Sequence, residues 1–146
     1  MYKVNWDCDL EQKAQDEISS CALPLESNLT ENTLRLRYIK SDEDEVLRDV
    51  MWAWMSAPLR YGVGIAPNLF HYRIETLANV NSELEDRKIG CSYKSCGPDQ
   101  QEMLIACVYG AKKLSMNDLI FEEGQTCRCD AYPNSHCSNS LCVTSA

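Results

Sequence analysis

The residues most able to do chemistry lie close together near the carboxyl end of the chain. Cys127 and Cys129 are followed by the pair His136-Cys137 and then by Cys142. Thiols and an imidazole in one short segment are zinc ligands, or the four cysteines form two disulfides. A Cys-x-Cys start is not the usual spacing of a zinc knuckle, and the chain has many other cysteines. We therefore favour two disulfides among these four cysteines over a metal site.

Catalytic groups are scarce in the rest of the sequence. The only histidines are His71 and His136, so a cysteine or serine nucleophile has few bases available. Sequence neighbours such as His136 and Cys137 rarely form a catalytic pair, and there is neither a nucleophile-elbow motif nor a glycine-rich phosphate loop. The sequence thus predicts no catalytic residue, no metal ligand and no cofactor, and it indicates a protein that is not an enzyme.

Composition favours a secreted protein. A chain of 146 residues has the length of one domain and is long enough to form a hydrophobic core. Its nine cysteines are therefore more than a small domain needs to replace a missing core. They indicate an oxidising compartment, and their odd number leaves one without a partner in the chain. Asn28 begins the N-glycosylation sequon Asn-Leu-Thr. A net charge of −8 with no basic cluster makes nucleic acid a poor partner. We see neither a signal peptide nor an apolar run of transmembrane length.

The element expected to hold the fold together is a β-hairpin. Two short β-prone runs, from Ile89 to Cys96 and from Met103 to Tyr109, flank the turn sequence Gly97 to Gln101. In an antiparallel hairpin, the residue numbers of facing residues have a constant sum. Cys91 and Cys107 lie equally far from the middle of this turn, so the hairpin can place them opposite each other. Such a pair is close enough for a disulfide.

Apolar residues that recur every three to four positions predict three amphipathic helices. Their ranges are Asp7 to Cys21, Val46 to Met55 and His71 to Asn81. Asp7 or Asp9 caps the first helix, and Pro58 ends the second. The predicted apolar faces consist of Leu10, Ala14 and Ile18 in the first helix, of Val46, Leu47, Val50, Met51, Trp54 and Met55 in the second, and of Ile74, Leu77 and Ala78 in the third.

The segments between these elements carry weaker signals. Pro24 to Asn32 has the composition of a loop, whereas Leu34 to Ile39 alternates apolar and basic residues and predicts an extended segment. The acidic run Asp42 to Glu45 is either a helix N-terminus or a cation site. We favour the helix N-terminus, because a calcium loop spaces its ligands around a glycine turn.

Three groups of residues resemble the CAP superfamily of cysteine-rich secretory, antigen-5 and pathogenesis-related proteins, in particular its nematode branch of ancylostoma-secreted, venom-allergen-like proteins. Met1 to Glu11, with Ala14-Gln15 and Cys21, is similar to the branch pattern M-x-K-L-x-W-D-C-x-L-E-x-x-A-Q…C. Lys88 to Cys91, with Cys96 and the run Cys107 to Tyr109, is similar to K-I-G-C…C…C-x-Y. Phe121 to Cys127 and Leu141-Cys142 are similar to Y-E-E-G…C…L-C.

This resemblance implies an α+β fold, an α-β-α sandwich with a central cleft, followed by a disulfide-rich tail. It also implies a Cys21–Cys96 bridge and a Cys91–Cys107 bridge. For function it implies a secreted parasitic-nematode protein that binds a host receptor or plasma protein, with an immunomodulatory or anti-haemostatic role. The alternative it leaves open is a carrier of lipid or sterol, with Met51, Trp54 and Met55 as possible lining.

The chain departs from the family at the metal cleft. Relatives hold two histidines and two glutamates there, where zinc can bind. Of these four groups the sequence keeps Glu31. It has no histidine from Ala22 to Ser27, it has Ala57 at the second glutamate position, and it has neither histidine nor tryptophan from Thr76 to Glu83. A lone Glu31 cannot hold zinc, so we expect its side chain to hydrogen-bond within the cleft wall.

The resemblance also predicts how the chain is divided. Relatives have a further helical segment before the match to Met1, so we expect the CAP-like domain, residues 1–125, to lack the family's first helix. The absent segment is then the expected source of a signal peptide and of a partner for the ninth cysteine, with Cys8 unassigned. Residues 126–146 form the predicted cysteine-rich tail.

Overall fold

The computed structural model describes residues 2–23, 28–37, 42–56, 68–81, 88–121 and 124–144. The helices are α1 (Cys8–Glu17), α2 (Glu43–Met55) and α3 (Glu75–Asn81), with a short 3-10 helix at Tyr72–Ile74 before α3. The strands are β1 (Asn5–Trp6), β2 (Thr30–Arg37), β3 (Lys88–Cys96), β4 (Glu102–Tyr109), β5 (Ser135–Ser138) and β6 (Leu141–Thr144). No described helix has the length and apolar character needed to cross a membrane.

The larger sheet has the strand order β1-β3-β4-β2. The predicted hairpin is confirmed as β3 and β4, and its register places Cys91 opposite Cys107. Every residue from Met103 to Tyr109 is buried, because β4 is a central strand with helices on both of its faces. Successive side chains of a strand point to opposite faces, so this one strand contributes to two separate cores.

The two cores make the architecture an α-β-α sandwich, as the resemblance implied. On one face, α1 packs Leu10 and Ala14 against Leu104, Ala106 and Val108 of β4. On the other face, the residues that pack together come from α2 and β4; they are Val46, Val50, Trp54, Met103, Ile105, Cys107 and Tyr109. A third, smaller cluster joins α3 and its preceding 3-10 helix to the segment after β4; it consists of Phe70, Ile74, Ala78 and Ile120.

Helix α1 begins where the sequence predicted but ends earlier. Asp7 is its N-cap, with the carboxylate accepting hydrogen bonds from the backbone N–H groups of Asp9 at 3.1 Å and Leu10 at 3.0 Å. The helix ends at Glu17 rather than Cys21. Cys21 has a positive φ of 57°, which a right-handed helix cannot accommodate.

The prediction for the second helix is partly wrong. Val46, Val50 and Trp54 are buried, but Met51 and Met55 are 38% and 51% exposed and face away from the sheet. Asp42 caps this helix through a 3.2 Å hydrogen bond from the Asp44 N–H, so the acidic run lies at a helix N-terminus as predicted.

The other boundaries differ by a few residues. Strand β2 begins at Thr30, inside the predicted loop, because its whole length from Thr30 to Arg37 pairs with β4. His71 caps the 3-10 helix by accepting a hydrogen bond from Arg73 N–H at 3.2 Å, so its side chain has a structural role. The end of the predicted extended segment at Ile39, the second glutamate position Ala57 and the predicted helix end Pro58 lie outside the described residues.

Asp7 also ties the start of α1 to the sheet, which gives a testable pH dependence. Its carboxylate lies 2.9 Å from Lys88 Nζ, and this contact, with the N-cap hydrogen bonds, lowers the pKa of Asp7. A carboxyl group with a lowered pKa stabilises the fold above its unfolded-state pKa, and this stabilisation is lost as the pH falls through the folded-state value. We expect Asp7→Ala to melt below Asp7→Asn, and Asp7→Asn below the unmodified chain, at neutral pH.

The order of the melting temperatures separates the N-cap hydrogen bonds of Asp7 from its ionic contact with Lys88, because asparagine retains the capping oxygen but not the charge. Thermal melts recorded across a pH series should show the difference between Asp7→Asn and the unmodified chain shrinking in acid. A difference that stays constant at all pH values would contradict an ionic role for Asp7.

Candidate functional site

The region that the resemblance matched to the family's metal cleft is built from β2, α3 and the end of β4. Strand β2 places Glu31 and Asn32 next to each other, so their side chains point to opposite faces of the sheet. Glu31 pairs with Val108, whose side chain packs in the α1 core, and Asn32 pairs with Cys107, which packs in the α2 core. The site therefore has two parts, one on each side of the sheet.

On the α2 and α3 side, a buried network of neutral polar groups surrounds Asn32, which is 1% exposed. The Asn32 side-chain amide donates to the Thr76 carbonyl at 2.8 Å and to the Tyr109 hydroxyl at 3.1 Å. Asn79 donates to the Asn32 side-chain oxygen and to the Glu31 carbonyl, both at 3.0 Å. Burial raises the pKa of Tyr109, so its phenol stays neutral. Sequence reasoning did not anticipate this network, although the polar residues Asn32 and Asn79 in apolar elements were its available signal.

On the α1 side, Glu31 differs from the sequence-based expectation. One oxygen of its carboxylate, Oε2, is buried and has no hydrogen-bond partner in the described part of the chain. Desolvation raises the pKa of Glu31, and repulsion by Glu17 raises it further, while Lys113 opposes both. The hydrogen bond that we expected between the Glu31 side chain and the cleft wall is thus not made by Oε2 to any described residue. The carboxylate is held in an environment that disfavours its charge.

This environment predicts that removing the charge stabilises the fold. An acid whose pKa is raised by burial is most favourable to folding below its unfolded-state pKa, and that contribution is lost as the pH rises through the folded-state value. We expect Glu31→Gln, which keeps the shape of the side chain, to unfold at higher urea concentration than the unmodified chain at neutral pH. The two chains should become similar in acid.

Urea unfolding followed by tryptophan fluorescence at neutral and acidic pH provides the measurement, and Asp49→Asn, at an exposed position of α2, is a control for general charge effects. A loss of stability in Glu31→Gln at neutral pH would contradict the prediction, because it would mean that the ionised carboxylate has a favourable partner.

The donor set at this site does not suit zinc. It offers one carboxylate together with amides and a phenol, whereas zinc sites use histidine, cysteine and carboxylate ligands in groups of three or four. Within the described ranges, no group of three or more histidine, cysteine, aspartate or glutamate residues is arranged to hold a metal ion. Thr76 and Asn79 lie in the stretch that was matched to the family's second histidine. They contribute a backbone carbonyl and a side-chain amide to the site in place of an imidazole. Ala57 lies outside the described residues.

The cysteines are arranged in four disulfides. Two of them, Cys21–Cys96 and Cys91–Cys107, cross-link the sandwich, with Cα–Cα distances of 5.9 Å and 4.0 Å. The other two join the four tail cysteines as Cys127–Cys137 and Cys129–Cys142. His136 is exposed on β5, and its neighbour Cys137 is disulfide-bonded, so these two residues do not form a nucleophile and base. Cys8 has an exposed free thiol.

The tail packs on the first residues of the chain. The Lys3 N–H donates to the Cys142 carbonyl at 2.8 Å, and the Tyr2 hydroxyl accepts from the Ala131 N–H at 3.0 Å. The rings of Tyr2 and Tyr132 are in edge contact at 5.0 Å.

The division of the chain at residue 126 remains a prediction. Asn28 is exposed, and its glycosylation also remains a prediction.

The residues proposed to line a lipid groove do not face a common space. Trp54 is 3% exposed in the α2 core, whereas Met51 and Met55 face outward on the same helix. One depression, of about 240 Å³, lies between the end of α1 and β3, where Gln15, Ile18, Ser19, Tyr93 and Lys94 line it. This volume is below the range of about 300 to 1,000 Å³ typical of sites for drug-sized ligands.

Comparisons with known proteins agree with this architecture. The chain is 29% identical over 98% of its length to the Ancylostoma secreted protein of Ancylostoma caninum, of which it spans 35%. Its structure matches that of Na-ASP-1 with a TM-score of 0.83 and 28% identity, over the whole chain and 38% of that protein. It matches a hookworm platelet inhibitor with a TM-score of 0.78 and 23% identity, over the whole chain and 78% of that protein.

The chain thus spans little more than a third of the first two relatives. The first of them is named as a secreted protein. The family model described as the cysteine-rich secretory protein family, CAP, matches residues 1–109. With its α-β-α sandwich and cross-linked hairpin, the chain belongs to the CAP family, and its relatives place it in the nematode ancylostoma-secreted branch.

Proposed function

We propose that this protein is a secreted, non-enzymatic CAP protein that acts by binding a host protein through its surface. The observation that carries the proposal is the composition of the cleft. Glu31 is the single ionisable group retained from the family's four metal-site positions, and the groups around Asn32 are a hydrogen-bonded set of neutral amides, a carbonyl and a phenol. Such a set offers no general base beside a nucleophile and no three ligands of the kinds that hold a catalytic zinc ion.

The relatives support a host target. One structural match is named a hookworm platelet inhibitor, which is the property of that protein, and its likeness at 23% identity concerns the fold. For the present chain, the proposed role is immunomodulatory or anti-haemostatic, with a receptor or a plasma protein as the partner. The four disulfides favour a rigid scaffold, and rigid scaffolds lose little conformational entropy when they bind.

A capture experiment tests the proposal. The disulfide-intact chain is immobilised and exposed to host plasma and to solubilised leukocyte membranes, with the reduced and alkylated chain as the control. We expect a partner that binds saturably at micromolar concentration or below and that soluble chain displaces, with no effect of a zinc chelator. No specific partner at micromolar concentrations, or zinc-dependent turnover that is lost in Glu31→Gln, would contradict the proposal. Saturable binding of palmitate or sterol without any protein partner would favour the carrier function instead.

A further inference from the structure

The outer side of α2 carries an apolar surface that belongs to none of the core clusters of the described residues. Trp52 is 65% exposed, Met55 51% and Met51 38%. Arg48 lies one turn before Met51 and Trp52, and Met55 lies one turn after them, so the four side chains share one side of the helix. We name these four residues, Arg48, Met51, Trp52 and Met55, the outer α2 patch.

The core does not require this patch, because the inner side of the same helix already buries Val46, Val50 and Trp54. Of the two exposed tryptophans described, Trp6 has a polar partner, since its indole N–H donates to Glu11 Oε2 at 2.7 Å. In the described part of the chain, the Trp52 side chain takes part in no hydrogen bond or ring contact, although its backbone carbonyl accepts from the Ser56 N–H at 2.9 Å. Tryptophan, methionine and arginine are among the residues that are enriched in protein interfaces.

The charge around the patch indicates the kind of partner. Exposed carboxylates occupy the same helix and its cap, at Asp42, Asp44, Glu45 and Asp49. An acidic rim attracts a basic protein surface and accelerates encounter with it. A second copy of this chain is disfavoured, because each copy has a net charge of −8 and would present the same acidic rim. An anionic membrane is disfavoured for the same reason.

We propose that the outer α2 patch is the docking surface for a host protein, and that this partner presents an apolar pocket surrounded by basic residues. The inference rests on the proposed function and specifies its contact surface. Trp52 is the anchor that enters the pocket, Met51 and Met55 pack beside it, and the acidic rim pairs with the partner's basic residues.

The test uses the full disulfide-bonded chain and two probes, the basic and the acidic protein fractions that ion exchange separates from host plasma and solubilised leukocyte membranes. We expect the chain to capture a partner from the basic fraction, with binding weakened about 30-fold in Trp52→Ala and less in Met55→Ala. Tyr72→Ala and Met116→Ala are matched controls, since these side chains are 61% and 52% exposed elsewhere on the surface. Both controls should bind like the unmodified chain. All four variants should melt at the temperature of the unmodified chain, because none of these side chains belongs to the core.

A second measurement maps the contact directly. Hydroxyl-radical oxidation of the bound chain should be reduced at Met51, Trp52 and Met55 but unchanged at Met116. Neutralising the rim by Asp44→Asn, Glu45→Gln and Asp49→Asn should slow association at low salt and leave dissociation nearly unchanged.

Several outcomes would overturn the inference. If unmodified chain and Trp52→Ala capture a partner equally well, the patch is not the docking surface, although the proposed function stands. Capture from the acidic fraction alone contradicts the predicted charge of the partner. If the chain forms a dimer that the Trp52→Ala substitution dissociates, the patch binds a second copy. If the chain binds phosphatidylcholine vesicles and no protein, the patch binds lipid. No capture from any fraction contradicts the proposed function itself.

Discussion

Gly90→Ala is expected to destabilise the protein by about 3 kcal/mol, close to the upper end of the usual effect of overpacking. Gly90 lies in β3, where the first turn of α1 crosses the strand. A Cβ atom at this position would overlap backbone atoms of Asp7, Leu10 and Glu11. Backbone atoms at a helix N-terminus cannot move aside as the end of a flexible side chain can, so the helix would have to shift away from the sheet. That shift would disturb the packing of Leu10 and Ala14 against β4.

Two other glycines serve as matched controls for Gly90. A Cβ at Gly124 meets no atom within 4 Å, so Gly124→Ala should leave stability almost unchanged. Gly97 has a φ of +78° and should give an intermediate loss, because alanine is strained there by about 1 kcal/mol. Chemical denaturation with intact disulfides gives the three free energies of unfolding. An effect of Gly90→Ala no larger than that of Gly124→Ala would contradict the close approach of α1 to β3.

Removing the Cys21–Cys96 disulfide, by replacing both residues with alanine, is expected to cost about 4 kcal/mol. This bond joins residues 75 positions apart, so it removes a large amount of conformational entropy from the unfolded chain. It also connects the end of α1 to the end of β3, and the Cys21 carbonyl accepts a hydrogen bond from the Arg35 guanidinium on β2. Loss of the bond therefore weakens a point where three elements of the sandwich meet.

The hairpin disulfide provides the comparison. Cys91–Cys107 spans 16 residues between strands that are already paired, so its removal should cost less, about 3 kcal/mol. In each variant, the remaining three disulfides must be verified by mass spectrometry before guanidinium unfolding is measured. A larger loss for the Cys91–Cys107 pair than for the Cys21–Cys96 pair would contradict the loop-entropy argument.

These predictions bear on the proposed function, because both sites hold the sheet that supports α2. If α2 presents the docking surface, variants that loosen the sandwich without unfolding it should weaken partner binding even though Gly90 and Cys21 lie in other parts of the fold. Binding by Gly124→Ala should be unaffected.

Local features of the fold could be predicted from the sequence because short-range chemistry fixes them. The sum of residue numbers around the Gly97 to Gln101 turn gave the Cys91 to Cys107 register, since a hairpin of fixed turn length allows few alternatives. The sequence offered Asp7 or Asp9 as the cap of α1 and placed the acidic run Asp42 to Glu45 at a helix N-terminus, because carboxylates satisfy the free N–H groups and the dipole there; the structure shows Asp7 and Asp42 as the caps. The first core face, Leu10, Ala14 and Ile18, followed from helical periodicity alone.

Other features depend on contacts between residues far apart in the chain, and the sequence could not supply them. Four tail cysteines permit three pairings. Cys137 and Cys142 face each other across β5 and β6, yet each is bonded to an earlier cysteine. In the same way, the spacing in α2 grouped Met51 and Met55 with Trp54. Periodicity shows which residues are neighbours on a helix, but the width of the buried stripe depends on what packs against it.

Residue types and spacings within short segments of the sequence predicted the central hairpin and carried the resemblance to the CAP family, and that resemblance in turn implied the α-β-α arrangement and the loss of the family's metal ligands. Only the tertiary structure decided that Glu31 Oε2 is buried without a hydrogen-bond partner among the described residues, that Asn32 is surrounded by neutral groups, and that Met51 and Met55 join Trp52 on the solvent side of α2. The physical reason is that burial and charge environment are properties of the packed neighbours, which come from distant parts of the chain.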